Sequence, residues 1–163
     1  EEPAFLVKIG DNQKIYRPKS EKMKWLTNTT SSDIFGAKQI KTKQVLAGIM
    51  AGQKDTLALY MNTGYRGIAF SSEGASFTAD KFLSIVDLAD KFFIMYDNDK
   101  TGIKKMQKII DFYPIQGLFL NSFLRYSTLK GSNGIKDVAL WYKYMKENNL
   151  KRDRVFEMIE RIL

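Results

Sequence analysis

Two aspartates, Asp97 and Asp99, follow directly on an uninterrupted, mostly apolar run at 92–96. Such a run is typical of a strand buried on both faces of a parallel sheet, so both carboxylates can project from its carboxyl end. Gly102 then allows a tight turn into a lysine-rich helix. Because paired carboxylates suit a small hard cation that takes its other ligands from water or phosphate, this stretch predicts a binding site for Mg²⁺ or Mn²⁺.

Two other kinds of site begin with a similar spelling. An EF-hand calcium loop also opens with Asp-x-Asp and has Gly at its sixth place, but its twelfth place needs a bidentate Glu and is Lys108 here. The DNDKT motif at 97–101 also resembles the opening motif of haloacid-dehalogenase-type phosphatases, whose first Asp is the nucleophile. Those enzymes carry the motif on their first strand, whereas the longest organised stretch of this chain precedes it. Both alternatives remain open beside the third.

The third alternative is a resemblance that covers 49–108. A Gly turn at Gly52, an Asp opening a helix at Asp55, a Gly before the next strand and a Gly-x-Ser-x-Thr-Ala-Asp segment at 74–80 precede the two aspartates in that order. This sequence resembles the Toprim domain of bacterial and phage-type DNA primases. The resemblance implies a metal-dependent nucleotidyltransferase that makes primers during DNA replication, with Asp97 and Asp99 holding Mg²⁺ or Mn²⁺. It also implies three partners: a single-stranded DNA template, nucleotides and a replicative helicase.

The chain departs from the family pattern at the first strand. The family's acid before the glycine turn is Ala51 here, and alanine can be neither a general base nor a metal ligand. Some phage-type primases with the same departure carry a Ser-Glu pair after the second strand, so Glu73 is a candidate catalytic substitute.

Asp137 resembles the first acid of a late family motif that holds a second metal, although the family's following Asp is missing. The alternative role of Asp137, and of Asp55, is to cap a helix. A catalytically degenerate module that binds nucleic acid or acts as a scaffold is the competing function.

Candidate phosphate-binding side chains fall into two groups. Three lysines open the helix after the aspartates, and Lys54 lies beside Asp55. Near the amino end, cationic and aromatic residues alternate, as in proteins that hold single strands by phosphate contacts and base stacking. Each group has an alternative without a binding role: a solvated helix face for the lysines, and an edge hairpin with inward-facing aromatics for the amino-terminal residues. The helix group is Lys100, Lys104 and Lys105. The amino-terminal group is Lys14, Tyr16, Arg17, Lys24 and Trp25.

Composition limits the chemistry that is available. The 163 residues contain no Cys and no His, which excludes disulfides, thiolate chemistry, His general-base catalysis and the usual zinc sites. The 26 Lys and Arg against 18 Asp and Glu give a net charge of +8, which favours a polyanionic partner or is simply a basic surface. No apolar run is long enough for a membrane span, and we expect no membrane partner. We expect a cytoplasmic protein of a bacterial cell, with a phage as one source of the gene. The first residue, Glu1, suggests an excised fragment or a processed chain.

Strand and helix patterns alternate through most of the chain, which predicts βαβ units and an α/β fold with a Toprim-like (Rossmann-like) central parallel sheet of about four strands. We predict strands at 45–50, 67–70, 92–96 and 117–120, and helices at 53–62, 78–88, 103–112, 137–147 and 155–163. An amino-terminal β-hairpin at 4–9 and 14–16 is followed by a loop at 19–32. We expect a hairpin and lead-in segment at 1–40, a Toprim core at 41–134 and carboxy-terminal helices at 135–163 that pack on the core as one compact unit.

Overall fold

The computed structural model describes residues 3–71, 77–124 and 134–163. Within these three ranges, no helix combines the length and the apolar character needed to cross a bilayer. In chain order the strands and α-helices are β1 (Phe5–Ile9), β2 (Asn12–Tyr16), β3 (Trp25–Thr27), β4 (Ile34–Phe35), β5 (Gln44–Met50), α1 (Gln53–Thr63), β6 (Gly67–Phe70), α2 (Ala79–Leu83), β7 (Ala89–Met95), α3 (Lys100–Phe112), β8 (Ile115–Gly117), α4 (Asn121–Leu124), α5 (Val138–Glu147) and α6 (Arg154–Glu160).

The central sheet has five strands in the order β4-β6-β5-β7-β8. The pairs β5–β6, β5–β7 and β7–β8 are parallel, so the predicted α/β fold with about four parallel strands is confirmed. The two-residue strand β4 adds an antiparallel edge beside β6, which the sequence patterns did not indicate. Strands β5 and β7 pair along their whole lengths, so their carboxyl ends lie side by side.

Apolar side chains are buried on both faces of this sheet, as expected of parallel strands covered by helices. One face packs against α1, α5 and α6, and the other packs against α3 and the segment around Ile85. The first cluster includes Met50, Leu59, Phe93, Trp141 and Ile159. The second includes Ile49, Ile68, Ile85, Ile94 and Met106. The helices that begin near the carboxyl ends of the strands are therefore fixed by cores on both sides.

The amino-terminal region forms a separate three-stranded antiparallel sheet in the order β1-β2-β3. The predicted hairpin is its first two strands, but the predicted loop at 19–32 contains β3 and is corrected on that point. Trp25 pairs with Tyr16 across the strands, and their rings stack with centroids 4.3 Å apart. This cross-strand aromatic contact stabilises a third strand that its mixed local sequence does not predict.

Two other differences from the predicted boundaries have a local cause. The helix expected at 78–88 ends at Leu83, where the Ser84 hydroxyl donates to the Lys81 carbonyl at 2.7 Å, and a short 3₁₀ turn at Val86–Leu88 follows. Such a side-chain contact competes with continuation of the helix. The last strand is Ile115–Gly117 rather than 117–120, because Pro114 is tolerated directly before a strand and Ile115 pairs with Phe92.

Candidate metal centre

Three carboxylates meet where β5 and β7 end. Asp55 lies in the first turn of α1, just after β5, Asp97 follows β7, and Asp137 is the N-cap residue of α5. One carboxylate oxygen from each lies within 4.8 Å of the corresponding oxygen of the other two. We call these three residues the acidic cluster. Asp55 is 5% exposed, while the other two are half-buried.

Backbone contacts fix the cluster because the start of α5 is joined to both strand ends. The Ala139 amide donates to Asp55 Oδ1 at 3.1 Å, and the Leu140 amide donates to Asp137 Oδ1 at 2.7 Å. These are free amides of the first helical turn, which normally require acceptors. The Asn98 amide, directly after Asp97, also donates to the Lys136 carbonyl. Asp137 therefore caps its helix, as the structural alternative predicted, and still presents a second oxygen to the cluster.

The electrostatics of the cluster favour a bound cation. Burial, followed by the charge of Asp137, raises the pKa of Asp55 to about 7, against the opposing effects of the Ala139 amide and Lys54. Burial also raises the pKa of Asp97, and the charges of Asp137 and Asp99 add to the effect. Carboxylates that resist ionisation because of burial and mutual repulsion gain most from a positive charge placed between them.

The donor set fits a small divalent cation. All three residues offer the hard oxygen ligands that Mg²⁺ prefers, and one oxygen from each lies within 4.8 Å of the other two. The three residues line a cleft that leaves room for water or phosphate as further ligands. Asp55, Asp97 and Asp137 are thus the residues that could hold Mg²⁺ or Mn²⁺.

Asp99 lies outside this three-carboxylate group. Its side chain caps α3, accepting from the Thr101 amide at 2.9 Å and the Gly102 amide at 2.8 Å. The structure thus brings Asp97 together with Asp55 and Asp137, which are far away in sequence, rather than with its near neighbour Asp99. Gly102 has a separate role, since a Cβ there would lie 2.1 Å from the Asp97 carbonyl oxygen. Only glycine allows α3 to pack this closely against the end of β7.

The junction between β5 and α1 does not depend on close packing at its glycine as the junction between β7 and α3 does. Gly52 is the N-cap residue of α1 with an extended backbone, and a Cβ there would make only an ordinary contact with Asp55. Ala51 lies at the same junction and lines the cleft in front of the acidic cluster. Glu73, the candidate substitute for the family's acid at position 51, lies outside the described residues.

A cleft of about 710 Å³ opens in front of the acidic cluster. Residues that follow the carboxyl ends of the central strands or lie at the starts of α1 and α5 form one wall, including Ala51, Lys54 and all three cluster residues. The amino-terminal sheet forms the opposite wall through Phe5, Val7, Lys14, Tyr16 and Trp25. We call the second wall the aromatic wall. The cleft therefore places a row of rings and a cation opposite a candidate metal centre.

Lys14 and Trp25 form the cationic part of the aromatic wall. Lys14 Nζ lies 4.1 Å from the centre of the Trp25 ring, and it donates to the Ser71 carbonyl at 3.4 Å. Burial lowers the pKa of Lys14. The inward-facing alternative for these aromatics holds in part, because Trp25 is stacked on Tyr16, but Trp25 remains 45% exposed.

The other predicted phosphate-binding residues are more dispersed. Lys100 and Lys104 are exposed on α3, and Lys105 on the same helix is half-buried. Arg17 is half-buried after β2, where its backbone amide donates to the Lys24 carbonyl. Lys54 contacts the cluster directly, with Nζ 2.8 Å from Asp137 Oδ2.

The sequence indicated each member of the acidic cluster as a candidate residue, but it did not predict that the three carboxylates meet. The rule that neighbouring parallel strands end at one edge would have placed Asp55 beside Asp97. The position of Asp137 depends on docking between α1 and α5, elements joined by the Asp55–Ala139 contact across 84 positions. A helix-capping aspartate alone gives no signal of that docking.

No protein-family model matches this sequence, and no curated protein matches it. The fold, however, is similar to that of solved DNA primase structures. The primase fragment of the bacteriophage T7 primase-helicase protein has a TM-score of 0.59 at 16% identity, over 93% of this chain and 57% of that one. The DnaG primase catalytic domain bound to single-stranded DNA has a TM-score of 0.57 at 15% identity, over 90% and 51%.

A third structure contains T7 primase domains. It shows a T7 lagging-strand DNA polymerase interacting with primase domains of two gp4 subunits bound to an RNA/DNA hybrid and dTTP. Its TM-score is 0.53 at 18% identity, over 67% of this chain and 58% of that one. The chain thus spans little more than half the length of each of these structures. Its five-stranded, mostly parallel sheet flanked by helices has the Toprim-like fold of primase cores.

Proposed function

We propose that this chain is the Toprim-like module of a DNA primase and carries out metal-dependent nucleotidyl transfer during primer synthesis. The observation that carries the proposal is the acidic cluster, which lies at the carboxyl ends of β5 and β7 and faces a cleft of about 710 Å³ with an aromatic and cationic far wall. The similarity in fold to primase structures supports the same conclusion.

Each wall of the cleft has its own task in this proposal. Asp55, Asp97 and Asp137 hold Mg²⁺ or Mn²⁺, which when bound neutralises charge on a nucleotide's phosphates and on the attacking oxygen. The amides of Ala139 and Leu140 keep two of the carboxylates in place before any ligand arrives. The aromatic wall offers exposed ring edges and the Lys14 ammonium to bases and phosphates of a single-stranded template.

The direct test is template-directed nucleotide incorporation by the full-length protein in Mg²⁺ or Mn²⁺. Asp97→Asn should reduce incorporation by at least about a hundredfold, because it removes a carboxylate ligand of the metal that would neutralise the charge of the reacting phosphates. Lys43→Met is a suitable control because it breaks an exposed ion pair with Asp90 at 2.8 Å that belongs to neither wall of the cleft. Full activity in Asp97→Asn would refute the assignment.

A second candidate function is a nucleic-acid-binding or scaffold module without catalysis. It is favoured by Ala51, which lines the cleft where the resembled family has an acid. Glu73→Gln separates the two functions. Loss of incorporation with unchanged folding supports Glu73 as the substitute acid, and wild-type activity refutes that substitution. An unmutated full-length protein that binds DNA but incorporates no nucleotide is the result expected of the binding module.

A replicative helicase is the proposed protein partner, and cytoplasm is the proposed compartment. The helicase proposal is supported by the T7 relative, which is a primase-helicase protein. Co-purification of the full-length protein with the helicase of its own host would test this proposal.

A further inference from the structure

Lys54 occupies an unusual place for a cation. It lies in the first turn of α1, directly after the N-cap residue Gly52 and Gln53. The amino end of a helix carries a partial positive charge, so a lysine there is electrostatically disfavoured unless acids compensate for it. The compensating acids are the members of the acidic cluster.

The ammonium group of Lys54 interacts with all three carboxylates. Its Nζ lies 2.8 Å from Asp137 Oδ2, and the charges of Asp137, Asp55 and Asp97 all stabilise its protonated form. Burial alone lowers the pKa of Lys54, but the hydrogen bond to Asp137 and these charges outweigh burial and leave the pKa above its usual value. In return, the charge of Lys54 favours ionisation of Asp55 and Asp97.

We propose that Lys54 is a tethered cation that competes with a divalent metal for the acidic cluster and, once displaced, binds a phosphate group in the cleft. This inference rests on the metal site of the proposed function and adds a regulatory step to it. The Asp137 oxygen that accepts from Lys54 is the one that does not cap α5, so it is the Asp137 oxygen open to a metal. Lys54 must therefore leave that oxygen when a metal binds there.

The side chain has room to move without loss of its helix. It is 63% exposed, and Lys54 lines the cleft together with the cluster. A released ammonium would remain at the wall of the cleft, where it could bind a phosphate group. Metal and phosphate binding are then coupled: the metal frees the lysine, and the phosphate gives it a new partner.

Lys54→Met removes the ammonium charge but keeps a long apolar side chain. It should change the affinities for two ligands in opposite directions. Mn²⁺ alone should bind about five- to tenfold more tightly, because a competing charge has been removed. A non-hydrolysable nucleoside triphosphate at saturating Mn²⁺ should bind more weakly by a similar factor, because a phosphate partner has been lost. Calorimetric titration of the full-length protein measures both affinities. A merely structural lysine would not change the two affinities in opposite directions.

Two variants serve as controls. Lys43→Met removes the same charge from another ion pair, Lys43–Asp90, whose N···O distance is also 2.8 Å, and it should leave both affinities unchanged. Lys54→Arg keeps the charge and should keep Mn²⁺ affinity near that of the wild type. Without metal, Lys54→Met should also lower the thermal midpoint more than Lys43→Met does, because it leaves three neighbouring carboxylates uncompensated.

The outcomes distinguish this inference from the proposed function. If Lys54→Met binds Mn²⁺ no more tightly than the wild type, the competition is refuted, whatever the wild-type affinity is. If only Lys54→Met binds Mn²⁺, the competition is supported and metal-dependent catalysis by the unmutated chain is not. If the wild type binds Mn²⁺ with the expected response to Lys54→Met but the full-length protein incorporates no nucleotide, the proposed function fails and the competition stands.

Discussion

At the scale of single residues, Asp55 should make stability depend on pH. Its pKa is about 7 in the folded protein because of burial and of the charge of Asp137, whereas an unfolded aspartate has a pKa of about 3.9. Between these values the folded state holds a proton that the unfolded state has lost, so stability decreases as pH rises from about 4 to about 7. Above both values the remaining cost of a buried charge is constant.

Asp55→Asn should therefore flatten this pH dependence in the absence of metal. Asparagine is neutral at every pH, and its side-chain oxygen can still accept from the Ala139 amide. We expect the thermal midpoint of the wild type to fall between pH 5 and pH 8, by an amount corresponding to a few kcal/mol at most, and that of Asp55→Asn to fall less. Thermal melts in metal-free buffers measure this. Parallel curves for the two proteins would show that Asp55 titrates normally.

Metal binding distinguishes the sequence-predicted pair from the structural cluster. Mn²⁺ at 100 times its dissociation constant should stabilise the folded protein by about 2.7 kcal/mol. Asp97→Asn should abolish this shift because Asp97 belongs to both groupings. Asp99→Asn should keep most of it, because Asp99 caps α3 and asparagine is also a good N-cap residue. Loss of the shift in Asp99→Asn would indicate that Asp99 leaves its cap to bind the metal.

At the scale of elements, the junction between β7 and α3 depends on Gly102. A Cβ at this position would lie 2.1 Å from the Asp97 carbonyl oxygen, so Gly102→Ala must move the helix away from the strand end. We expect a loss of about 1–3 kcal/mol in the free energy of unfolding, together with weaker Mn²⁺ binding because Asp97 shifts. Gly134→Ala is the matched control, since a Cβ there meets no atom of the described residues within 4 Å. Equal denaturation midpoints for the two variants would contradict this account.

Most elements could be predicted from the sequence because their signals are local. Continuous apolar runs mark β5 and β7, and Gly64, with a left-handed backbone at φ 79°, ends α1 where expected. The strands that were missed, β3 and β4, have three and two residues and depend on partners distant in sequence. The same limit applies to the acidic cluster, whose members were each visible while their meeting depends on packing between α1 and α5.

At the scale of the whole molecule, the contribution of the net charge of +8 to DNA affinity must be distinguished from that of specific contacts in the cleft. A basic protein binds single-stranded DNA through phosphate contacts, and each contact contributes about 0.7 to the slope of log affinity against log salt. Aromatic contacts add affinity without changing that slope, because stacking releases no counterions. Salt titrations can therefore distinguish lysines that bind phosphate from rings that stack on bases.

We expect the combined Lys100→Gln, Lys104→Gln and Lys105→Gln variant to flatten the slope by as much as about 2, since up to three phosphate contacts are lost. Trp25→Leu should weaken binding at every salt concentration while the slope stays constant, because the aromatic wall loses a 45% exposed ring but no charge. Lys143→Gln, Lys146→Gln and Lys151→Gln together form the control. They remove the same charge from exposed positions in the second half of α5 and just beyond it. Fluorescence anisotropy with a labelled single strand measures all four proteins. If both triple variants flatten the slope equally, the protein attracts DNA through its overall charge and α3 is not a binding surface.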